Sequence, residues 1–384
     1  MGFMGFQRPD GSVGVRNYVV VMSSVSCANG VVNALSRAIP EVKPITHTEG
    51  CGRGIADIAI STRTLVGLGK NPNVAAILII GLGCEFIKAP GLAEQIKATG
   101  KPVEYLVIQE NQGTVKTTRN AIEICKKFLA DANAMKRVEC GWDKLTLGLE
   151  CGGSDALSGV TANPVIGVLA DWLVAQGGSV ILSETTEMIG TENILARRAI
   201  DKATGDKVKS LIQRQEKLTK DILGPLAGLV VSPGNIEGGL STIQEKALGC
   251  IIKAGTSPIQ EVVEYSVVPS KKGLVIMDSP GSDIFSLTGM AASGAQITVF
   301  STGRGTPAGF PIMPVIKISS NTELFRKMED DIDLDAGVVL EGKRIEDAGK
   351  DLIALFQQVV NGMQTRAEIN QQDVLAIHTV GPAF

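Results

Sequence analysis

The feature that most constrains this 384-residue chain is a recurring pair: a short, continuously apolar, β-branched run that stops at a polar, glycine-bearing turn. Such runs fall at Asn17–Ser23, Val74–Ile80, Val103–Ile108, Leu145–Leu149, Ser179–Leu182, Leu274–Met277, Ile297–Phe300 and Val315–Ile318. Alternating runs mark strands with one wet face, whereas continuous ones suit strands covered on both faces, as in a parallel sheet between helical layers. Helical patterns separate several of them. Asn163 reads as an N-cap with Pro164 at the first helical position. Val165, Val168, Leu169, Trp172 and Leu173 then recur at the spacing of one buried stripe before Gly177-Gly178. A second helix opens at Ser241, with Gln244 completing a capping box, and runs to Gly255. The charged segment Asp201–Asp221 reads as a solvated helix. The fold class is therefore α/β. The polar, linker-like stretch Ala130–Lys144 divides the chain into an N-terminal domain, 1–140, and a second domain, 141–384.

Composition removes several function classes. Lysine and arginine total 37 against 40 acidic residues, so no cationic field exists to hold nucleic acid. No apolar run approaches the roughly 18–20 residues that span a bilayer, and the first residues lack a secretory pattern, which predicts a cytoplasmic protein. Seven dispersed cysteines point to thiols or metal ligands rather than a disulfide framework. With only His47 and His378, acid–base and metal chemistry must lean on Cys, Asp, Glu, Lys and Arg, or on a partner.

The turns are where chemistry belongs, because ligands in open α/β sheets bind beyond the carboxyl ends of the strands. Cys51, Cys84 and Cys151 each sit beside glycine at such a turn, and three thiolates with an open position suit a soft iron site or an iron–sulfur cluster. The alternative is that they are small buried residues. His47, close to Cys51, stands between ligand, catalytic group and ordinary histidine. Glu184 and Glu187 follow a strand and can direct two carboxylates to a cation. Glu245 and Lys246 open a helix, and Arg304 lies between glycines; each is a candidate charge for catalysis or binding, against the alternative of a surface residue. Gly303-Arg-Gly305-Thr-Pro-Ala308 has the letters of a dinucleotide fingerprint, but Pro307, Pro311 and Pro314 forbid the helix it must open. The acidic run Glu329–Asp335 lacks the glycine and terminal glutamate of a calcium loop.

Taken together, QRPDGSVGVRNY, HTEGCG, GLGCE, LECGGSDALSGVTANP, SETTE, SPGNIEGGLSTIQEKALG, MDSPG, STGRG and IKISSNT resemble the altronate/galactarate dehydratase family, in the order its members show, from residue 6 to about 340. The resemblance implies a metal-dependent hydro-lyase, activated by Fe2+ or Mn2+, that converts a sugar acid bearing 2,3-hydroxyls to a 2-keto-3-deoxy acid through an enediolate. It implies a dimerising N-terminal α/β domain ahead of a Rossmann-like parallel-sheet domain, a homodimer of this large chain, and a separate small β-clip subunit. The metal ligands are then drawn from His47, Cys51, Cys84, Cys151, Glu184 and Glu187, with an iron–sulfur cluster on Cys51, Cys84 and Cys151 as the other form of the site. Lys246, Glu245, Asp155 and His47 are the candidate catalytic groups. Ser154, Gly152, Gly153, Asn163, Asn235, Gly239 and Arg304 are the candidate substrate-binding residues. Gly305–Lys317 is closer to the sulfolactate sulfo-lyase branch, which makes release of sulfite the alternative reaction. A non-catalytic binding subunit is the alternative from another class.

Overall fold

A computed structural model describes residues 2–224 and 230–384. Fourteen strands form three sheets among these residues. β1 (Phe3–Gln7), β2 (Val13–Gly14) and β7 (Val138–Cys140) make a small antiparallel sheet in the order β2-β1-β7. β3 (Tyr18–Ser23), β4 (Lys43–Ile45), β5 (Val74–Gly81) and β6 (Val103–Val107) make a parallel sheet in the order β4-β3-β5-β6. The remaining seven are β8 (Thr146–Cys151), β9 (Ser179–Leu182), β10 (Ile259–Val263), β11 (Gly273–Met277), β12 (Ile297–Thr302), β13 (Val315–Ser319) and β14 (Leu334–Asp335). They form one parallel sheet in the order β10-β11-β9-β8-β12-β13-β14.

All eight apolar runs are strands, and those of the large sheet are fully buried because helices cover both faces. On one face lie the helices Ala162–Ala175, Lys202–Leu223 and Ile345–Val360. The other face meets Asp283–Ala292, which packs against the helix Ile55–Lys70 of the smaller parallel sheet, so both parallel sheets contribute to one core. Gly67 is what lets those two helices touch, since a Cβ there would lie 2.3 Å from the Ala292 carbonyl oxygen.

The stretch read as a linker is ordered structure. Residues 130–134 finish the helix Thr114–Ala134, β7 pairs with β1, and Trp142 joins the core. The two halves are also laced by buried polar groups. Asn73 accepts the Val15 and Arg16 amides and donates to the Gln296 and Ile312 carbonyls. Glu368 returns to Arg16 and Tyr18. No helix among the described residues is long and apolar enough to cross a membrane.

The large sheet fixes the position of the site. From β8 the chain moves to β9 and outward to β10 and β11, then returns to the other side of β8 with β12. Strand order therefore reverses between β8 and β12, and the crevice beyond their carboxyl ends is where such a sheet accepts ligands.

Candidate active site

β8 ends on Glu150 and Cys151, which alternation sends to opposite faces. Glu150 accepts from Ser286 Oγ, itself paired with Ser183 Oγ at 2.7 Å. Cys151 Sγ lies 3.2 Å from Cys250 Sγ, and both sulfurs are 2.8 Å from Glu187 Oε2. Lys246, Cys250 and Lys253 recur at i, i+4 and i+7 through the helix Ile243–Cys250 and the turn that follows, so one face delivers all three. Lys253 Nζ is 3.0 Å from Cys151 Sγ and ion-paired with Glu184. Lys246 Nζ is 2.5 Å from Glu187 Oε1 and 3.3 Å from Asn235 Oδ1. Glu184 adopts a left-handed backbone, φ 67°, a state costing on the order of 1–3 kcal/mol in a residue with a side chain.

Two glycines make room for this assembly. A Cβ at Gly152 would lie 2.1 Å from Asp283 Oδ2, and one at Gly159 would lie 2.9 Å from the Gly249 Cα, where the Lys246 helix crosses the loop after β8. Beside that crossing is a cavity of about 230 Å³ lined by Ser154, Asp155, Leu240, Lys246, Gly249 and Cys250. Ser154 Oγ is buried with no hydrogen-bond partner.

Four carboxylates, Glu150, Glu184, Glu187 and Asp283, thus stand around two ammonium groups. Burial and the charge of Glu184 push Glu150 well above the ordinary carboxyl range. Burial and Glu187 raise Glu184 in spite of Lys253. Asp283 is pushed up to about 7 by burial and by Glu184 and Glu187. Glu187 moves the other way: burial opposes ionisation, but Lys246 and Lys253 outweigh it. Burial acts to lower both lysines, yet Glu187 leaves Lys246 raised, and Cys151 and Glu184 leave Lys253 raised. The bond with Cys250, together with burial, drives the Cys151 thiol well up.

Ligand atoms of Glu150, Glu184 and Asp283 lie within 4.8 Å of one another, as do those of Cys151, Glu187 and Cys250. The two sets differ in what they offer a cation. Glu150 Oε1 and Glu184 Oε1 are buried without a donor, a cost of about 1–3 kcal/mol each if left so, and hard oxygen ligands suit a divalent ion such as Mn2+. The thiol set already carries Lys246 and Lys253 as its counter-charges, and its acceptors are engaged. The carboxylate set fits a divalent ion and the thiol set does not.

Two family models match the chain: "D-galactarate dehydratase/Altronate hydrolase, second domain" over residues 5–133, and "D-galactarate/Altronate dehydratase, C-terminal" over residues 142–383. The chain belongs to the galactarate/altronate dehydratase family, whose named dehydratases are hydro-lyases. Altronate dehydratase of Bacillus subtilis is 35% identical over 99% of this chain and 78% of its own length. The (2R)-sulfolactate sulfo-lyase subunit beta of Chromohalobacter salexigens is 35% identical over 95% of this chain and 94% of its own. Galactarate dehydratase (L-threo-forming) of Escherichia coli is 34% identical over 94% of this chain and 73% of its own.

In this dehydratase-family chain, four of the residues singled out from sequence, Cys151, Glu184, Glu187 and Lys246, meet in one cluster. Asn235 steadies Lys246, and Ser154 forms the cavity wall. The others have different duties. Asp155 is occupied by the Ser158 amide and hydroxyl, at 2.8 and 2.7 Å, and by Ser320 Oγ at 2.8 Å, so it pins the turn after β8. Asn163 is the second residue of its helix rather than the cap, which is Thr161, and both ends of its amide are taken, by the Gly249 carbonyl and Ser301 Oγ. The Gly152 and Gly239 amides donate to the Ser301 and Ile236 carbonyls, and the Gly153 carbonyl accepts the Gly303 and Arg304 amides. Arg304 is exposed and paired with Glu237 at 2.8 Å. Glu245 is exposed and accepts from the Ser241 amide and hydroxyl at a helix start capped by Thr242, not Ser241.

His47, Cys51 and Cys84 stand at the carboxyl end of the smaller parallel sheet. They share no ligand set with Cys151, whose neighbours are Cys250, Glu187 and Lys253. Both His47 ring nitrogens are engaged by backbone, Nε2 with the Ser23 carbonyl at 2.7 Å and Nδ1 with the Glu49 amide at 3.1 Å, and burial lowers its pKa. Neither lone pair is left for a metal. Glu150, Asp283, Cys250 and Lys253 went unnoticed in the sequence. A charged residue inside an apolar strand and the i, i+4, i+7 recurrence from Lys246 were the available signals.

Proposed function

We propose that this chain dehydrates a sugar acid of the altronate type, removing the α-proton and the β-hydroxyl to give a 2-keto-3-deoxy acid. The reading rests on one observation above others: four carboxylates and two lysines, buried together at the strand reversal of a chain in this family. Abstracting a proton beside a carboxylate builds an enediolate, which needs positive charge where the negative charge develops. An Fe2+ or Mn2+ ion would be held by Glu150, Glu184 and Asp283, and when bound would supply Lewis-acid charge to the substrate's carboxylate and hydroxyl oxygens.

The chain's own residues divide the remaining work. Lys246 and Lys253 hold the pKa of Glu187 down, so Glu187 is the member of the Lys246–Glu187 pair able to take the α-proton and Lys246 the one able to steady the enediolate. Glu187 is a weak base while both lysines stand on it. A substrate carboxylate that draws Lys246 away would raise its basicity at the moment of reaction. Lys253, out of reach of solvent, keeps Glu184 in place. Dimerisation through the N-terminal half, a small β-clip partner subunit and a cytoplasmic location remain part of this proposal.

The relatives include a sulfo-lyase subunit as similar as the dehydratases, so loss of sulfite from sulfolactate is the second reading. The deciding experiment supplies Mn2+ or Fe2+ anaerobically and incubates the chain, alone and with a co-expressed small subunit, with aldonates, aldarates and sulfolactate. Formation of 2-keto-3-deoxy acid supports the first reading, and sulfite with pyruvate supports the second. Absence of either product in all combinations removes both and favours a non-catalytic subunit.

A further inference from the structure

The carboxylate cluster stands at the carboxyl ends of the large sheet, and the amino ends open on a second cavity, of about 420 Å³. Thr146 and Ser179, which begin β8 and β9, line it. The helices Ile55–Lys70 and Asp283–Ala292 finish at its wall, so both parallel sheets contribute to it. Its charge is lopsided. Lys70, Lys144, Lys271 and Lys272 line it against one acid, Asp10, in a chain with 40 acidic residues to 37 lysines and arginines. Asp10 is spent on its own turn, accepting from the Ser12 amide and hydroxyl at 3.0 and 2.6 Å. Glu261 is likewise spent on the Ser270 amide and hydroxyl and the Lys271 amide. Among the described residues none of the four lysines has an ion pair, and Lys272 alone is held, by the Asp143 carbonyl at 2.5 Å. Burial lowers the Lys272 pKa; Asp143 opposes the shift and Lys144 adds to it, so two of the ammonium groups already repel each other.

Helix carboxyl ends repel anions, and two of them finish here. Their last carbonyls are occupied. Lys101 Nζ donates to the Lys70 and Asn71 carbonyls at 2.7 and 2.6 Å, and Asn71 Nδ2 donates to the Ala291 and Ala295 carbonyls at 2.8 Å each. With those acceptors taken, the cavity offers a ligand three unpaired ammonium groups and the Ser179 hydroxyl. We infer that this cavity binds a small anion of two or more negative charges, a phosphate ester or a polycarboxylate, as a ligand separate from the substrate. Lys70 reaches the anion from the helix of the smaller sheet, and Lys144, Lys271 and Lys272 reach it from the large one, so the bound anion ties the two halves together. Ammonium groups that repel one another when the cavity holds only water become a matched set once the anion is among them. The site shares no lining residue with the cavity beside Lys246. The two stand at opposite ends of the helix Asp283–Ala292, whose ten residues span about 15 Å.

The test uses the full chain, stripped of metal on a chelating resin and kept at physiological salt, titrated calorimetrically with inorganic pyrophosphate and with citrate. Saturable binding of one anion per chain is expected, with a matching rise in unfolding temperature. K70Q, K144Q and K271Q should each weaken binding about tenfold, the cost of one charge-assisted hydrogen bond, and the triple variant should abolish it. K127Q, at an exposed helical position elsewhere, and K246M, in the other cavity, should leave it unchanged. Acetylation of the unmutated chain, read by peptide mass spectrometry, serves where a variant does not fold: the anion should protect Lys70, Lys144 and Lys271 but not Lys127. Binding of pyrophosphate alone supports a phosphate ester as the ligand, binding of citrate alone supports a polycarboxylate, and binding of both supports a site that reads charge. Binding of neither, binding that persists in the triple variant, or binding lost in K246M would overturn the inference. Sugar-acid turnover does not enter the test, so failure of the dehydratase reading and failure of this site are read separately.

Discussion

Asp283→Asn in chelator-treated protein should make the chain more stable while disabling the site. Asp283 opens the helix Asp283–Ala292 beside Glu184 and is pushed up to about 7. Its folded-state pKa is raised, so the native chain binds its proton more tightly than the unfolded chain, where an aspartate titrates near 3.9. Stability from this group is therefore greatest at low pH and falls as pH rises from about 4 to about 7. At about 1.4 kcal/mol per tenfold change in proton affinity, ionising it in the folded state costs about 4 kcal/mol once pH exceeds 7. Asparagine escapes that cost but loses a helix N-terminal charge of about 0.3–1 kcal/mol. Urea unfolding in EDTA should show the variant about 3 kcal/mol more stable at pH 8 and about 1.5 kcal/mol more stable at pH 5, where Asp283 still keeps its proton in the folded chain. With Mn2+ the order should reverse, because the variant has lost a ligand and the ion stabilises only what binds it. A variant equal to or weaker than the parent at pH 8 in EDTA would refute the account of a crowded, cation-seeking carboxylate site.

Lys246→Met, with the fold retained, should lower turnover at least about a hundredfold, the usual cost of losing one group that steadies the charge developing in the transition state; near-normal steady-state kinetics would remove Lys246 from the mechanism. Lys253→Met should cost about 3–5 kcal/mol in denaturant unfolding, because Glu184 would keep its burial and lose its counter-charge, and adding Glu184→Gln should recover much of the loss. Mn2+ binding at pH 6 should release protons, since Glu150 and Asp283 hold theirs in the metal-free chain. Calorimetry in buffers of different ionisation enthalpy would read that release, and a buffer-independent heat would contradict it.

The strands of the large sheet were legible because burial on both faces leaves a continuous apolar run, and β8, β9, β11, β12 and β13 all carry one. β10 did not, since Gln260 and Glu261 interrupt it, and β4 is a three-residue edge containing Pro44. Turn chemistry located the carboxyl ends, yet it could not say which of two parallel sheets each turn served. Cys51 and Cys84 looked equivalent to Cys151 for that reason. The glycines of CGGSD read as substrate-binding residues, whereas Gly152 is needed for the space it leaves Asp283. Lys253 and Cys250 were hidden because a helical face reports only that residues lie together, not that acidic residues from three other loops will meet them.

A purely structural ion-pair network is the competing account of the buried cluster, and its energetics differ from what is seen. A network selected for stability would match charges and leave few acceptors without donors, because each unpaired buried group costs more than a made bond returns. Here four carboxyl groups face two lysines, and burial pushes Glu150, Glu184 and Asp283 upward, so the set ionises fully only when a cation takes the place of the protons. Among the described residues, the buried carboxylate oxygens without a donor, Glu150 Oε1 and Glu184 Oε1, both belong to one set, whose lysine contact is that of Lys253 with Glu184. Glu184 also carries the left-handed backbone of the cluster. Unfavourable features gathered at one strand reversal, inside a sheet otherwise packed with aliphatic side chains, are the mark of a site built for a ligand and held in place by the stability of the core around it.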